Sequence, residues 1–211
     1  MWWREILSLE DRLRAINLGH GSSIDDTAII EAGATLDSSN GPIIIGARTR
    51  VCAGAVIRGP VFIENDCMIG NQALIRGPTV IGTEVKIGFA TEIKQAIIGN
   101  RVSIGPMCFV GDSKIDHDAY LGAMVRTSNQ RLDRQPIRVL HSGEFVSSGS
   151  DKLGCLIGAG TAIGIQCIVL PGRVVPANST FDPRVTIEKN LPCGHYRIRQ
   201  TLEAINTEGV S

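Results

Sequence analysis

Aliphatic side chains recur every six residues through the first half of the chain, at Ile45, Val51, Ile57, Ile63, Ile69, Ile75, Ile81, Ile87 and Ile93. Four positions after each of the first eight stands a small or β-branched residue: Thr49, Ala55, Val61, Cys67, Ala73, Thr79, Val85 and Thr91. A period of six matches neither the helical repeat of about 3.6 nor the strand repeat of about 2. It matches a parallel β-helix, in which each hexad is one short strand and a turn, and three hexads close a triangular coil. The run Ile57-Arg-Gly-Pro60 returns one coil later as Ile75-Arg-Gly-Pro78. Hexads resume with slips at Ile98, Ile104, Val110, Ile115 and Leu121, and again at Ile157, Ile163, Val169, Val175 and Phe181. Upstream, Ile24, Ile30 and Leu36 start the series, before an insertion from Asp37 to Pro42. The aliphatic residues are expected to point inward and stack, each contributing about 1.5–3 kcal/mol when fully buried. The residue that follows (Gly46, Glu64, Gly70, Gly82, Gly88) is assigned to the corner, where unusual dihedrals or a turn-serving side chain are needed.

Both ends and one interior stretch break the period. Trp2, Ile6, Leu9, Leu13 and Ile16 form one helical stripe ahead of Gly19, which predicts a helix capping the first coil. Between Leu121 and Ile157 the period disappears. A polar run from Arg126 to Pro136, a strand at Ile137 to Leu140 and a turn at Ser147 to Asp151 form an excursion of the kind that carries function on regular scaffolds. Beyond Phe181 the chain is expected to leave the prism, with Tyr196, Ile198, Leu202 and Ile205 on a short terminal helix. The organisation is therefore a capping helix over 1–19, a β-helix over 20–181 with its excursion at 126–153, and a strand and helix extension over 182–211. The fold class is all-β, with short N- and C-terminal helices.

Composition narrows the function. A thin triangular interior has no room for rings, and the chain has 24 Gly against five Phe and two Tyr in 211 residues. Lys plus Arg and Asp plus Glu are both 21, which argues against a nucleic-acid field or a basic membrane patch. With no long apolar run or signal-like start, a soluble cytoplasmic protein is expected. The six cysteines include no Cys-x-x-Cys pair and are read as structural thiols. His20, His117, His141 and His195 are scattered, so no metal site is expected.

From about Ile57 to Val174 the chain resembles the acetyltransferase half of the bifunctional, archaeal-type sugar-1-phosphate nucleotidylyltransferases and glucosamine-1-phosphate acetyltransferases. The stretches that carry the likeness are Ile75-Arg-Gly-Pro-Thr-Val-Ile-Gly82, Thr91-Glu-Ile-Lys-Gln95, Phe109-Val-Gly-Asp-Ser113, Leu121-Gly-Ala123 with Asn129 after it, Lys152-Leu-Gly154 and Leu170-Pro-Gly172. The resemblance implies a left-handed β-helix and a homotrimer, with acetyl-CoA in a groove between subunits and a sugar phosphate where coils and excursion meet. No nucleotide-transferring half is expected with it. Arg76 and Lys94 match the family's phosphate-holding residues. One coil apart, they can stand side by side on the surface and grip a phosphate through charge-assisted hydrogen bonds. Asn129 and Glu92 match substrate-site positions, and Ala123 a backbone position near the acyl carrier. The departures are Pro106 where the family has its catalytic histidine, Phe109 where it has a tyrosine, and Tyr120 where it has a substrate-contacting asparagine.

Acyl transfer needs a base, worth about 10²–10⁴-fold, and proline supplies none. One expectation is an acyl-CoA-dependent acetyltransferase acting on a sugar or sugar phosphate, in nucleotide-sugar or surface-polysaccharide metabolism. Its base would be relocated to His117, flanked by Asp116 and Asp118, or else to His141. The alternative is a non-catalytic trimeric binding or assembly protein that keeps the prism and a ligand site.

Overall fold

The computed structural model of the protein describes residues 1–16 and 21–201. The hexads wind into a left-handed parallel β-helix of about ten turns. Its first face stacks Ser23–Ile24, Ile43–Ile45 and Val61–Ile63, and further along Lys114–Ile115, Leu156–Ile157 and Val174–Val175. The second stacks Thr35–Asp37 and Val56–Arg58, and later Phe109–Gly111, Arg126–Thr127, Ile168–Val169 and Thr186–Ile187. The third runs from Ile29–Ile30 to His195–Tyr196. Two longer strands, Leu74–Ile81 and Glu92–Ile98, turn the corner from the second face to the first without a break. Inward residues meet like residues one coil away: Ile57 pairs with Ile75, Ile75 with Ile93 and Ile93 with Val110, all with no exposure. Among the described residues no helix is long and apolar enough to cross a membrane.

The corners follow a different rule from the one read in the sequence. The left-handed conformation falls not on the residue after each inward aliphatic but two places later, on Arg48, Asp66, Gln72, Glu84 and Ala90, with φ between 53° and 60°. The glycines are needed for close stacking instead. A Cβ on Gly70 would stand 2.6 Å from the Ile87 carbonyl oxygen, and one on Gly88 would stand 2.6 Å from Pro106 N.

The prism also extends further than its aliphatic pattern. Arg126–Thr127 is a prism strand, so the excursion begins after Thr127, not at Arg126. Thr127 fills the inward ladder because its buried hydroxyl accepts the Gly111 N–H at 2.9 Å. The excursion carries an antiparallel hairpin, Arg138–His141 against Glu144–Ser147. Past Phe181 the chain does not leave the prism: Thr186–Ile187 and His195–Tyr196 each add a rung, and the Tyr196 ring stacks on Phe181 at 4.9 Å. Tyr196 therefore closes a strand, not a helix. Ile198 lies in irregular chain, and Leu202 and Ile205 lie outside the described residues.

The N-terminal stripe folds as two helices, Trp2–Leu7 and Leu9–Ile16, interrupted at Ser8. They do not cap the first coil, where the inward Ile24 remains 43% exposed. The reason lies in the outward positions of the first face. Ile44, Phe62, Val80 and Ile97 stack in register, as do Leu156 and Val174 beyond Lys114, forming an apolar stripe that needs cover. Ile97, Leu156 and Val174 pack against a second core in which Trp2, Trp3 and Ile6 meet Ile137, Val139 and Leu153 of the excursion. Lys114, the one break in the stripe, places its Nζ 2.9 Å from Glu5 Oε2. The helices thus clamp the excursion to the prism.

Candidate active site

The residue after each inward aliphatic on the second face points outward again, because strand side chains alternate. In register, these positions form the ladder Asp37, Arg58, Arg76, Lys94, beside the corner from which the excursion departs. Rungs of a sheet are about 4.8 Å apart, so Arg76 and Lys94 do stand side by side. Arg76 Nε donates to Glu92 Oε1 at 3.1 Å. Lys94 Nζ lies 2.9 Å from Asp112 Oδ2, with the two side chains only 18% and 2% exposed. Lys94, expected on the surface beside Arg76, is thus half-buried and held by an acid of the next coil. The same Asp112 oxygen accepts from Asn129 Nδ2. The Asp112 carbonyl accepts the Gly154 N–H at 2.8 Å, and Leu153 N donates to the Asn129 carbonyl at 3.0 Å. Both ends of the excursion are thereby tied to the cation ladder through Asp112.

Asp112 was not singled out among the candidate residues, although it sits inside the Phe109-Val-Gly-Asp-Ser113 stretch. Its signal is a carboxylate one coil beyond a lysine, in a chain whose neighbouring corners carry the small inward residues. A buried charge of this kind requires a partner. Phe109 pairs in register with Glu92 and Arg126, and its ring covers Gly111, where a Cβ would come within 2.8 Å of it.

The opposite border of the second face is apolar. Phe89, Pro106, Ala123 and Ile165 follow the tightly stacked Gly88, Gly105, Gly122 and Gly164 of successive coils. Phe89, Ile165 and the adjacent Met107 are 52%, 46% and 40% exposed. One face thus carries cations along one edge and an open apolar strip along the other, with Glu92 and Phe109 between them.

His117 belongs to neither edge. It is exposed, in the corner between Lys114–Ile115 of the first face and Tyr120–Leu121 of the third. The carboxylates expected to orient its ring are engaged elsewhere: Asp118 accepts two hydrogen bonds from Arg101 at 2.7 and 2.9 Å, and Asp116 lies 4.0 Å from Lys114. The Arg101 contacts hold the Asp118 carboxyl below its ordinary range. His141 is exposed on the hairpin, edge-on to Trp3 with ring centroids 5.4 Å apart. Tyr120 points outward on the third face between Ser103 and Ala162, away from the ladder. Of the expected residues, the structure brings together Arg76, Glu92, Lys94 and Asn129, and leaves Ala123, Tyr120 and His117 apart from them. Five thiols are buried, as structural cysteines would be, and desolvation pushes Cys155 up to about 12. Cys193 is the exception, being exposed.

No protein-family model matches the chain. Over 167 residues it is 53% identical to the uncharacterized acetyltransferase YaiX of Escherichia coli, covering 79% of this chain and 73% of that protein; a second Escherichia coli strain has a putative acetyltransferase of the same name at the same identity. It is 32% identical over 111 residues to the bifunctional sugar-1-phosphate nucleotidylyltransferase/acetyltransferase of Sulfurisphaera tokodaii, a match over 53% of this chain but only 28% of that protein.

Proposed function

The chain belongs to the hexapeptide-repeat acetyltransferases, and from that premise we propose that it moves an acetyl group from acetyl-CoA to a sugar or sugar phosphate. The observation that carries this reading is the pairing of Arg76 with Lys94 at the foot of the excursion. Two cations one rung apart suit the oxygens of a phosphate monoester, and Asn129 and Glu92 stand within the same cluster to meet sugar hydroxyls. The acyl carrier is assigned to the apolar strip at Phe89, Pro106 and Ala123. An open edge of this kind suits a neighbouring copy and an extended apolar carrier together, which supports a homotrimer with sites between subunits.

In the reaction the acceptor attacks the thioester carbonyl, the tetrahedral intermediate expels the CoA thiolate, and the acceptor must lose a proton. Pro106 offers no base on the strip, and within one chain His117 lies on another corner. The acceptor that fits is therefore one deprotonated by a group from a neighbouring copy, or an amine other than that of glucosamine 1-phosphate that arrives as its free base and gives its surplus proton to the departing thiolate.

Thermal shift with acetyl-CoA and with hexose 1-phosphates tests the reading. Each ligand at about 100 times its Kd adds about 2.7 kcal/mol, and Arg76→Ala or Lys94→Ala removes the shift from the sugar phosphate alone. Failure of every hexose phosphate to stabilise the protein overturns the assigned grip. In a separate assay, thiol release with glucosamine 1-phosphate should be near background for the wild type and rise by about 10²–10⁴-fold in Pro106→His. Robust acetylation of glucosamine 1-phosphate by the wild type would show that Pro106 costs the reaction nothing.

A further inference from the structure

The column that carries the cation ladder continues beyond the excursion. From Lys94 it runs through Gly111 and Ser128 to Leu170, three rungs and about 14 Å away at a rung spacing of about 4.8 Å. There the chain turns through Leu170-Pro-Gly-Arg173 from the second face to the first, and the hairpin strand Arg138–His141 lies directly on the turn. Gly172 permits that approach. Its φ is 73°, and a Cβ on it would fall 2.4 Å from the Arg138 carbonyl oxygen. Arg138 of the hairpin and Arg173 of the prism are thereby brought to one ring, each guanidinium carbon lying 5.7 Å from the centre of Phe145.

These two cations have no acid to pair with. Arg138 Nη2 donates to the Phe145 carbonyl at 2.8 Å and Arg173 Nε to the Pro171 carbonyl at 3.1 Å, and neither makes an ion pair among the described residues. A third arginine, Arg131, is neutralised by Asp133, which accepts from its Nε at 2.8 Å. Glu188, the remaining acid at the site, pairs with none of the three. Arg173 is half-buried, and desolvation, with the Arg131 charge nearby, pushes its guanidinium below the ordinary arginine range. Like charges gathered where water is partly excluded are unfavourable unless an anion offsets them.

Between them lies a cavity of about 140 Å³, lined by Arg131, Arg138, Arg173, Glu188 and Leu170-Pro171. It is well below the about 300–1,000 Å³ of sites for larger small molecules. At about 30 Å³ per water it has the room of about four or five waters, which suits a tetrahedral oxyanion and not a sugar ring. Pro171 has no N–H, and Leu170 N is spent on the Ile187 carbonyl at 3.0 Å, so recognition falls to the guanidinium forks. Two forks arriving from different elements match the oxygens of phosphate, each taking up to two of them.

We infer that this cavity binds inorganic phosphate through Arg138 and Arg173, and that the bound ion rivets the hairpin to the prism in addition to the helix clamp. Equilibrium dialysis of the whole chain with labelled phosphate, at constant ionic strength in chloride, tests it. The wild type should bind one more phosphate per chain than Arg173→Met. Arg138→Met, on an exposed strand, should weaken the same phosphate by at least about 10-fold. Arg173→Lys should keep part of the affinity, and Glu188→Gln should tighten it. Arg76→Ala should leave this phosphate in place, which separates it from the grip proposed above. Saturating phosphate should also slow proteolysis within residues 128–152 in the wild type and not in Arg173→Met. Equal phosphate counts in wild type and Arg173→Met, unchanged affinity in Arg138→Met, or proteolysis indifferent to phosphate overturns the inference. Loss of the same phosphate in Arg76→Ala overturns it too, by assigning the ion to the cation ladder. Displacement by coenzyme A but not by dephospho-coenzyme A does likewise, since the cavity would then belong to the acyl carrier.

Discussion

Asp112→Asn is the substitution that most directly tests how the site is held. It preserves shape and tolerates the left-handed backbone at this residue, φ 50°, but removes the charge that faces Lys94 at 2.9 Å. Breaking a buried ion pair by deleting one partner costs about 3–5 kcal/mol, because the other charge is left uncompensated. Lys94 keeps 18% of its side chain exposed and can relax toward water, which places the cost near the lower end, about 3 kcal/mol. For a chain of 211 residues, at about 2–4 °C per kcal/mol, the melting temperature should fall by about 6–12 °C. Circular dichroism at fixed protein concentration reads the shift. Adding Lys94→Met removes the orphaned charge and should recover more than half of the loss, a coupling that a double-mutant cycle isolates. If Asp112→Asn melts within about 2 °C of wild type, Asp112 is not what holds Lys94, and the account of the site's assembly is wrong.

Two further outcomes follow from the packing. Ellman's reagent at pH 8 should titrate one thiol quickly in the native protein, abolished by Cys193→Ser, and all six after denaturation, because the other five are buried. Rapid reaction of two or more native thiols would contradict the burial of the other five cysteines. Trp3→Ala removes a 5%-exposed ring from the core that joins helix, excursion and prism, at a cost of about 3–5 kcal/mol. It should also speed proteolysis within residues 128–152, and an unchanged cleavage pattern would mean that the helix does not clamp the excursion.

What was legible in the sequence is what burial alone dictates. Every inward aliphatic repeats because the interior repeats, so the coil, its face count and the side-by-side placement of Arg76 and Lys94 could all be read from spacing. Thr127 escaped because its place in the ladder depends on a partner, the Gly111 N–H, that sequence does not display. The position of the helices was available in principle: Ile44, Phe62, Val80 and Ile97 precede every third inward aliphatic, and an unbroken run of four outward apolar residues on one face marks a face that something must cover.

His117 shows where linear neighbours mislead. Asp116 and Asp118 flank it in the chain, yet in a β-helix the nearest side chains come from the coils above and below. Arg101, from the preceding coil, takes Asp118, just as Arg48 takes Asp66 at an earlier corner. The same geometry assembles Lys94, Asp112 and Asn129, each about one coil from the next and with no mutual proximity in sequence. In this fold a functional cluster has to be sought down the column of coils, and the column that holds the cations is also the one from which the excursion leaves. That shared corner, more than any single residue, is the physical reason for placing the acceptor there.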